Sequence, residues 1–167
     1  MKILILGATG QIGRNLLKHL VNKREELAIK SLGVTYRSNH SILNLPSHID
    51  YFKFDIMDGS KINKIFKEIK YDVVINLLHD TSKEFNQSKE FSEKIKTMYK
   101  NIFKVIDFVK ASRVLFSSSG AVYGMDTSKE NGFDEQDIDI NSKKISLDNY
   151  SQSKLYFEQK LNDWSLL

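Results

Sequence analysis

Short apolar runs that alternate with helix-patterned segments constrain the fold of this chain most strongly. The first run, "KILIL" at residues 2–6, is typical of a strand covered on both faces of a parallel sheet. Residues 11–22 then repeat apolar side chains at helical spacing. Because the alternation continues, we predict an α/β protein with a doubly wound parallel sheet and helices on both faces. Further strands are predicted at 31–36, 51–54, 72–78 and 113–117, and further helices at 60–69, 91–110 and 150–162.

The composition excludes several classes of function. The 167 residues fit one domain over 1–167, and 41% hydrophobic with 28% charged residues is ordinary for a globular protein. Without cysteine there are neither disulfides nor thiolate metal sites, and no metal is expected. The net charge of +4 is scattered in mixed runs rather than in a basic stripe, so nucleic acid is not an expected partner. No apolar stretch approaches the length of a membrane span, and a cytoplasmic protein is expected.

Three glycines follow the first predicted strand and lead into the first predicted helix. They lie in "GATGQIG" as Gly7, Gly10 and Gly13. The first permits a tight turn, the second lets a diphosphate approach the backbone, and the third lets the helix pack close to the strand. The helix N-terminus adds N–H groups and partial positive charge. This arrangement is typical of a Rossmann-type dinucleotide site, and the alternative is a tight turn without a ligand.

Residues after the second and third predicted strands bear on the choice of dinucleotide. The second strand is followed by "TYRSN", where Arg37 stands and no carboxylate is available for a ribose 2′-hydroxyl. An arginine there pairs with a 2′-phosphate, so we expect NAD(P) with a preference for NADP. The alternative is that Arg37 is an ordinary surface arginine. After the third strand, Asp55 is placed to accept from the adenine amino group, and Ile56 to pack against the ring.

Hydroxyl groups gather where the last predicted strand ends. "FSSSGAVYG" puts Ser117, Ser118 and Ser119 at the carboxyl end of a parallel strand, the edge at which open α/β sheets bind ligands. Downstream, "NYSQSK" holds Tyr150 and Lys154 four residues apart, on one face of a predicted helix. A lysine ammonium near a phenol favours the phenolate, so such a tyrosine can exchange a proton with a substrate hydroxyl or carbonyl. A serine hydroxyl would orient the same substrate oxygen.

The sequence resembles the extended short-chain dehydrogenases/reductases, the NAD(P)-dependent epimerase/dehydratase group that acts mainly on nucleotide sugars. The motifs that carry the resemblance are "GATGQIG", "FDIMD", "DVVINLL", "FSSSGAVYG" and "YSQSK". The resemblance implies a catalytic set of Ser119, Tyr150 and Lys154, in which the tyrosine is the acid/base and the lysine also contacts the nicotinamide ribose. It implies that Tyr123 and Gly124 lie beside the substrate. The cofactor-binding residues expected are Gly7, Thr9, Gly10, Gln11, Ile12, Gly13, Arg37, Asp55, Ile56, Leu77, Leu78, Ser117, Tyr150 and Lys154.

Several positions depart from the family's pattern. Where the family has small residues after the fourth strand, this chain has Leu78, His79 and Asp80. We interpret His79 as a hydrogen-bonded loop histidine rather than a ligand-facing group. The asparagine turn that opens the family's long helix has Thr97 near its place, with Asn101 one turn later.

The resemblance also bears on length and assembly. Family members continue past the tyrosine helix into a strand and a smaller lobe that holds the substrate, and residues 164–167 are expected to start that strand. We therefore expect a chain truncated before the substrate lobe. The family's dimers predict a homodimer through the helices at 91–110 and 150–162. A long polar stretch at 125–149 predicts a functional or mobile loop.

Three functions compete on the sequence alone. The first is an NAD(P)-dependent oxidoreductase or epimerase that acts on a nucleotide sugar by hydride transfer. The second is a cofactor-binding remnant or regulatory module without turnover. The third is an α/β interaction domain in which Ser119, Tyr150 and Lys154 are structural. The order of the motifs favours the first, with fold-level analogy serving only as a prior.

Overall fold

Five strands form a single parallel sheet in the first part of the chain. They are β1 (Lys2–Leu6), β2 (Ser31–Tyr36), β3 (Ile49–Lys53), β4 (Val73–Asn76) and β5 (Arg113–Phe116). In the computed structural model, which describes residues 1–38, 48–79, 91–124, 132–134 and 148–166, they lie in the order β3-β2-β1-β4-β5. All four pairings are parallel. The predicted α/β fold is therefore confirmed, and the strand order reverses between β1 and β4.

Helices follow β1, β3, β4 and β5 along the chain. They are α1 (Gln11–Asn22), α2 (Ile62–Phe66), α3 (Phe91–Val109) and α4 (Asn149–Ser165), with 3-10 helices at Gly59–Lys61 and Gly120–Tyr123. The chain divides into two compact units, one built from 1–79 with 96–117 and the other from 80–95 with 118–167. Within the described ranges, no helix combines the length and apolar character that crossing a membrane requires.

The helix α1 covers one face of the sheet with the apolar residues that recur along it. Leu17 and Leu20 are buried there together with Ile3, Ile5 and Val34. Side chains at alternate positions of a strand point to the same face, which is why Ile3 and Ile5 share this layer. Burying each aliphatic side chain contributes about 1.5–3 kcal/mol. This layer therefore holds α1 against the strand that precedes it.

Tyr71 covers a glycine in the middle of β2. A methyl group at Gly33 would lie 2.2 Å from the Tyr71 hydroxyl oxygen, so the ring fills the space that a side chain would need. The hydroxyl donates to the Asp50 carboxylate at 2.8 Å, and burial raises the pKa of Tyr71 above its usual range. Phe52 meets the same ring edge-on, with 6.4 Å between centroids. Close packing rather than a turn explains the glycine here.

The helix predicted at 60–69 is wrong at both of its ends. The 3-10 helix at Gly59–Lys61 leads into α2, which ends at Phe66. Lys67 has an extended ψ of 126°, and Glu68 adopts a positive φ of 64°. Neither glycine nor proline marks this end in the sequence, and the apolar periodicity continues beyond it. The predicted helix was therefore too long. The predicted bounds of β1 and β2 are confirmed, whereas the ends of β3, β4 and β5 differ from the predicted ones by at most two residues, and β3 starts at Ile49 rather than at residue 51.

The last helix is longer than the predicted 150–162. Because α4 extends over Asn149–Ser165, Trp164 and Ser165 continue the helix, and the expectation that residues 164–167 start a strand is wrong. No glycine or proline interrupts this segment, so the backbone can go on bonding one turn back. Most of the predicted loop at 125–149 lies outside the described residues, as does Leu167.

We expect Gly33→Ala to destabilise the protein. The added methyl meets the Tyr71 ring, which is 1% exposed and held by Asp50, so the ring must move from its hydrogen bond. Overpacking of this kind costs about 1–3 kcal/mol, which corresponds to a fall in Tm of roughly 2–12 °C at this chain length. Thermal unfolding followed by circular dichroism measures it. Gly120→Ala is the control, since among the described residues no atom beyond its chain neighbours lies within 4 Å of a methyl group there. Equal melting temperatures of the two variants would contradict the expectation.

Candidate active site

The carboxyl ends of the five parallel strands lie at one edge of the sheet, and most of the predicted cofactor residues follow those ends. The glycine loop follows β1, Arg37 follows β2, Asp55 and Ile56 follow β3, and Leu77 follows β4. In open α/β sheets, ligands bind at this edge, at the point where the strand order reverses. Here the order reverses between β1 and β4, next to the glycine loop.

The glycine loop owes its shape to two positions where a side chain does not fit. Gly7 has a φ of +89°, a conformation that favours glycine. At Gly13 a methyl group would lie 2.3 Å from the Gly7 carbonyl oxygen, so the helix can start this close to the loop only with glycine. The Gly7 N–H donates to the hydroxyl of Thr35, which is buried in β2, at 3.2 Å. The loop is thereby tied to the neighbouring strand.

The residues at the start of α1 fit a diphosphate. Gly10 is the N-cap residue and supplies no side chain to the first N–H groups of the helix, which have no partner within it. In the part of the chain that the structure describes, a methyl group at Gly10 would contact only the Gly7 carbonyl oxygen, at 3.4 Å. Gly10, Gln11 and Ile12 are exposed. The first turn carries no acidic residue to repel an anion. Backbone donors, open space and helix polarity therefore agree with the predicted role.

The loop after β3 presents a carboxylate and buries an apolar side chain. Asp55 is exposed, and its Oδ1 accepts from the Met57 backbone N–H at 3.0 Å. A carboxylate has further lone pairs, so it can accept another hydrogen bond from a ligand. Ile56 is buried. Arg37, which follows β2, is exposed. This exposure leaves its guanidinium accessible to a cofactor phosphate.

The end of β4 lies against the glycine loop. A methyl group at Gly7 would be 3.2 Å from the backbone of Leu77 and of Leu78, so these two segments approach closely. Asn76 is fully buried, and its Oδ1 accepts from the Leu78 N–H at 3.1 Å, which shapes the turn. Leu78 and His79 are half-buried, and Asp80 lies outside the described residues.

In the second unit, Ser119 is the N-cap residue of the 3-10 helix at Gly120–Tyr123. Its Oγ accepts from the Ala121 N–H at 3.2 Å. A hydroxyl that accepts one hydrogen bond still has its own hydrogen to donate, so capping leaves Ser119 able to act on a substrate oxygen. The neighbouring Ser118 donates to the Glu158 carboxylate. The 3-10 helix packs against α4.

The helix α4 carries the predicted tyrosine and lysine one turn apart. Asp148 caps it, accepting from the Ser151 N–H at 2.8 Å and from the Ser151 hydroxyl at 2.6 Å, and these bonds hold the pKa of Asp148 below its usual value. Tyr150 is thus fixed in the first turn. The Lys154 Nζ lies 5.6 Å from the centroid of the Tyr150 ring. Burial lowers the pKa of Lys154 to about 8, while the charge of Glu158 acts in the opposite direction.

Within the second unit, the structure therefore brings Tyr150 and Lys154 together on α4, and Ser119 onto a turn that packs against that helix. Tyr123, predicted to lie beside the substrate, stacks on Phe133 with 5.1 Å between ring centroids. The first unit holds the glycine loop, the Asp55 loop and the residues after β4. The catalytic and binding roles of all these residues stay predictions.

Four supporting residues were not singled out from the sequence: Thr35, Asn76, Asp148 and Glu158. An aspartate just before a helix is an N-cap signal, and a glutamate four residues after a lysine indicates a side-chain pair on a helix. Asp148 and Glu158 could therefore have been predicted from the sequence. Thr35 carries no such signal, because its contact with Gly7 spans 28 residues and depends on how β1 and β2 pair.

A parallel sheet in this order, with a glycine loop leading into a helix where the order reverses, defines a Rossmann-type nucleotide-binding protein. The family follows from the sequence: the model of the NAD dependent epimerase/dehydratase family matches residues 3–166, and the chain belongs to that family. The resemblance inferred from the motifs is therefore confirmed. By the family's description the dinucleotide is a nicotinamide one.

Curated relatives match most of this chain. A dTDP-D-glucose 4,6-dehydratase from Dictyostelium discoideum is 30% identical over 165 residues, which is 92% of this chain and 38% of the relative. A UDP-glucose 4-epimerase from Mycoplasma genitalium is 26% identical over 165 residues, 96% of this chain and 47% of the relative. The chain thus spans less than half the length of these relatives.

Solved structures agree on the fold. A UDP-glucose 4-epimerase from Thermus thermophilus, in complex with NAD, has a TM-score of 0.77 at 20% identity, covering 99% of this chain and 51% of that one. A UDP-glucose 4-epimerase from Thermotoga maritima, with UDP-glucose, has a TM-score of 0.73 at 20% identity, with coverage of 99% and 51%.

We expect the stability cost of burying Lys154 to depend on pH. The pKa of Lys154 falls from 10.5 to about 8 on folding, so between these pH values the unfolded chain binds more protons. The wild-type protein therefore gains stability from this group as pH rises through that window. Lys154→Met lacks the gain, so its stability advantage over the wild type is largest below pH 8 and shrinks towards pH 10.5. Urea unfolding across this range measures the difference.

The exposed Lys160 on the same helix supplies the control for this experiment. Lys160→Met should change the stability by less than about 1 kcal/mol, because it removes an exposed ion pair with Asp163 and not a buried charge. If the Lys154→Met difference did not change with pH, the lowered pKa assigned to the buried ammonium would be wrong.

Proposed function

We propose that this chain is the nicotinamide-binding part of a nucleotide-sugar epimerase or dehydratase, over residues 1–167, with Ser119, Tyr150 and Lys154 as its catalytic set. The observation that carries the proposal is the geometry of α4. A buried lysine lies 5.6 Å from the ring of a tyrosine in the helix's first turn, beside a turn capped by the third serine. The family to which the chain belongs supports the same reaction class.

In this proposal Tyr150 removes the proton from a sugar hydroxyl. The bound nicotinamide supplies the hydride acceptor for the carbon that bears this hydroxyl. To accept this proton, Tyr150 must already be ionised to the phenolate. Two features that stabilise its negative charge lie nearby. One is the Lys154 ammonium, and the other is the positive end of the α4 dipole.

Ser119 would orient the reacting oxygen. Its hydroxyl is fixed by the Ala121 N–H, so the donor direction is restricted before substrate arrives. Glu158 lies one turn after Lys154 and accepts from Ser118, which connects the serine segment to α4. We assign Glu158 to holding this geometry and not to the chemistry.

The first unit would bind the cofactor. The diphosphate would lie on the N–H groups at the start of α1, for which Gly10 leaves the space open. Asp55 would accept from the adenine amino group, with Ile56 beside the ring. Arg37 would pair with a 2′-phosphate, which makes NADP the preferred dinucleotide.

The substrate class and the assembly are proposed from the relatives. The curated relatives are named for dTDP-glucose and UDP-glucose, so a nucleotide sugar is the proposed substrate. A homodimer through residues 91–110 and 150–162 is proposed from the family resemblance. On α3 it would have to use side chains other than Met98, Tyr99 and Ile102, because these are buried within the chain.

Tyr150→Phe should lower the turnover rate by about 10²–10⁴-fold, because it removes the general acid/base. Cofactor affinity should stay within about threefold, because the ring itself remains. The protein is mixed with NADP⁺ or NAD⁺ and with UDP-glucose or dTDP-glucose, and conversion of the sugar is followed by NMR or chromatography, because the hydride returns to the sugar in both reactions and no net reduced cofactor accumulates. Cofactor affinity is measured separately by fluorescence titration.

Tyr156→Phe, on the same helix, is the matched control and should keep the wild-type rate. Cofactor binding without turnover in the wild type would favour the alternative of a binding module. No stabilisation by any nicotinamide dinucleotide would exclude both, because a ligand that binds the native state must stabilise it.

Arg37→Asp should reverse the preference between the two dinucleotides. Losing a hydrogen-bonded ion pair with the 2′-phosphate costs about 1.5–3 kcal/mol, or about ten- to a hundredfold in affinity. Titrations with NADPH and NADH measure the ratio. Lys30→Asp, a matched charge reversal just before β2, should leave it unchanged. Equal affinities for both dinucleotides in the wild type would rule out the role of Arg37.

A further inference from the structure

We propose that Asn101 is a positioning residue for the adenine site, because its side chain holds the turn that presents Asp55. The proposal rests on the assignment of Asp55 to the adenine amino group in the proposed function. It concerns a residue of α3, 45 positions away from that turn in the sequence.

The contact is a buried hydrogen bond between the Asn101 amide and the backbone of the turn. Asn101 Nδ2 donates to the Ile56 carbonyl oxygen at 2.7 Å. Asn101 is 7% exposed and Ile56 is 9% exposed, so this carbonyl depends on the amide rather than on open solvent. A buried carbonyl that loses its donor is destabilised, and the turn would rearrange to satisfy it.

The same peptide group carries the bond that holds the carboxylate. The Ile56 carbonyl and the Met57 N–H belong to one planar peptide unit, so fixing one orients the other. The Met57 N–H donates to Asp55 Oδ1 at 3.0 Å. Asn101 therefore sets the plane of the peptide whose opposite end holds Asp55. A rotation of this peptide would move the carboxylate.

Gly59 makes the contact possible. A methyl group there would lie 2.4 Å from Asn101 Oδ1 and 3.0 Å from its Cγ. The amide cannot retreat without losing the Ile56 carbonyl, so a side chain at residue 59 and the Asn101 contact exclude each other. This gives a second substitution, on a different element, that acts on the same hydrogen bond.

The test compares affinity for the reduced cofactor, NADPH or NADH, with affinity for its analogue in which hypoxanthine replaces adenine. The analogue lacks the amino group that Asp55 would accept from. We expect the wild type to prefer adenine by about tenfold, and Asn101→Leu to reduce this preference to about twofold or less, with the analogue's affinity nearly unchanged. Gly59→Ala should have the same effect, and the double variant should lose no more than either single one.

Asn63→Leu, an exposed asparagine of α2, is the control and should keep the preference. If Asn101→Leu does not fold, as judged by circular dichroism, Gly59→Ala carries the test. Equal losses for both nucleotides would mean a purely structural role and would overturn the inference, as would an unchanged preference. A wild type that binds neither nucleotide, or does not distinguish them, would overturn the assignment of Asp55 and the inference together.

Discussion

The close approach of α1 to the loop before it is the constraint on which the first unit depends. Because a side chain at Gly13 would meet the Gly7 carbonyl at 2.3 Å, the helix can begin directly after β1 only with glycine there. The short loop then aims the unpaired N–H groups of α1 at the carboxyl edge of the sheet. Thr35 ties the loop to β2 through a bond of 3.2 Å, so the same edge also carries the residues that follow β2.

The second unit holds its candidate catalytic residues in a different way. Its key residues lie on one helix and on a turn that packs against it, and capping fixes both: Asp148 starts α4, and Ser119 starts the 3-10 helix. Lys154 is then buried at the cost of a lowered pKa, which is a common sign of a functional group. Family membership over residues 3–166 supports the catalytic roles proposed for these residues.

Pattern reasoning predicted the elements well and their ends less well. Every apolar run between 2 and 117 that was predicted as a strand is a strand of the sheet. In β1 and β4, burial on both faces explains the continuous apolar sequence. The predicted helix at 60–69 was too long because Glu68 adopts a positive φ, which a glutamate in the sequence does not indicate. Conversely, α4 continued to Ser165 because nothing in the sequence stops a helix there.

The sequence by itself determined the fold class, the glycine loop and the pairing of Tyr150 with Lys154, because each depends on local spacing. Only the tertiary structure decided that Thr35 holds Gly7 and that Asn101 holds the Ile56 carbonyl. These bonds join residues that are 28 and 45 positions apart. Strand pairing and helix packing bring such residues together, and neither produces a periodic pattern in the local sequence.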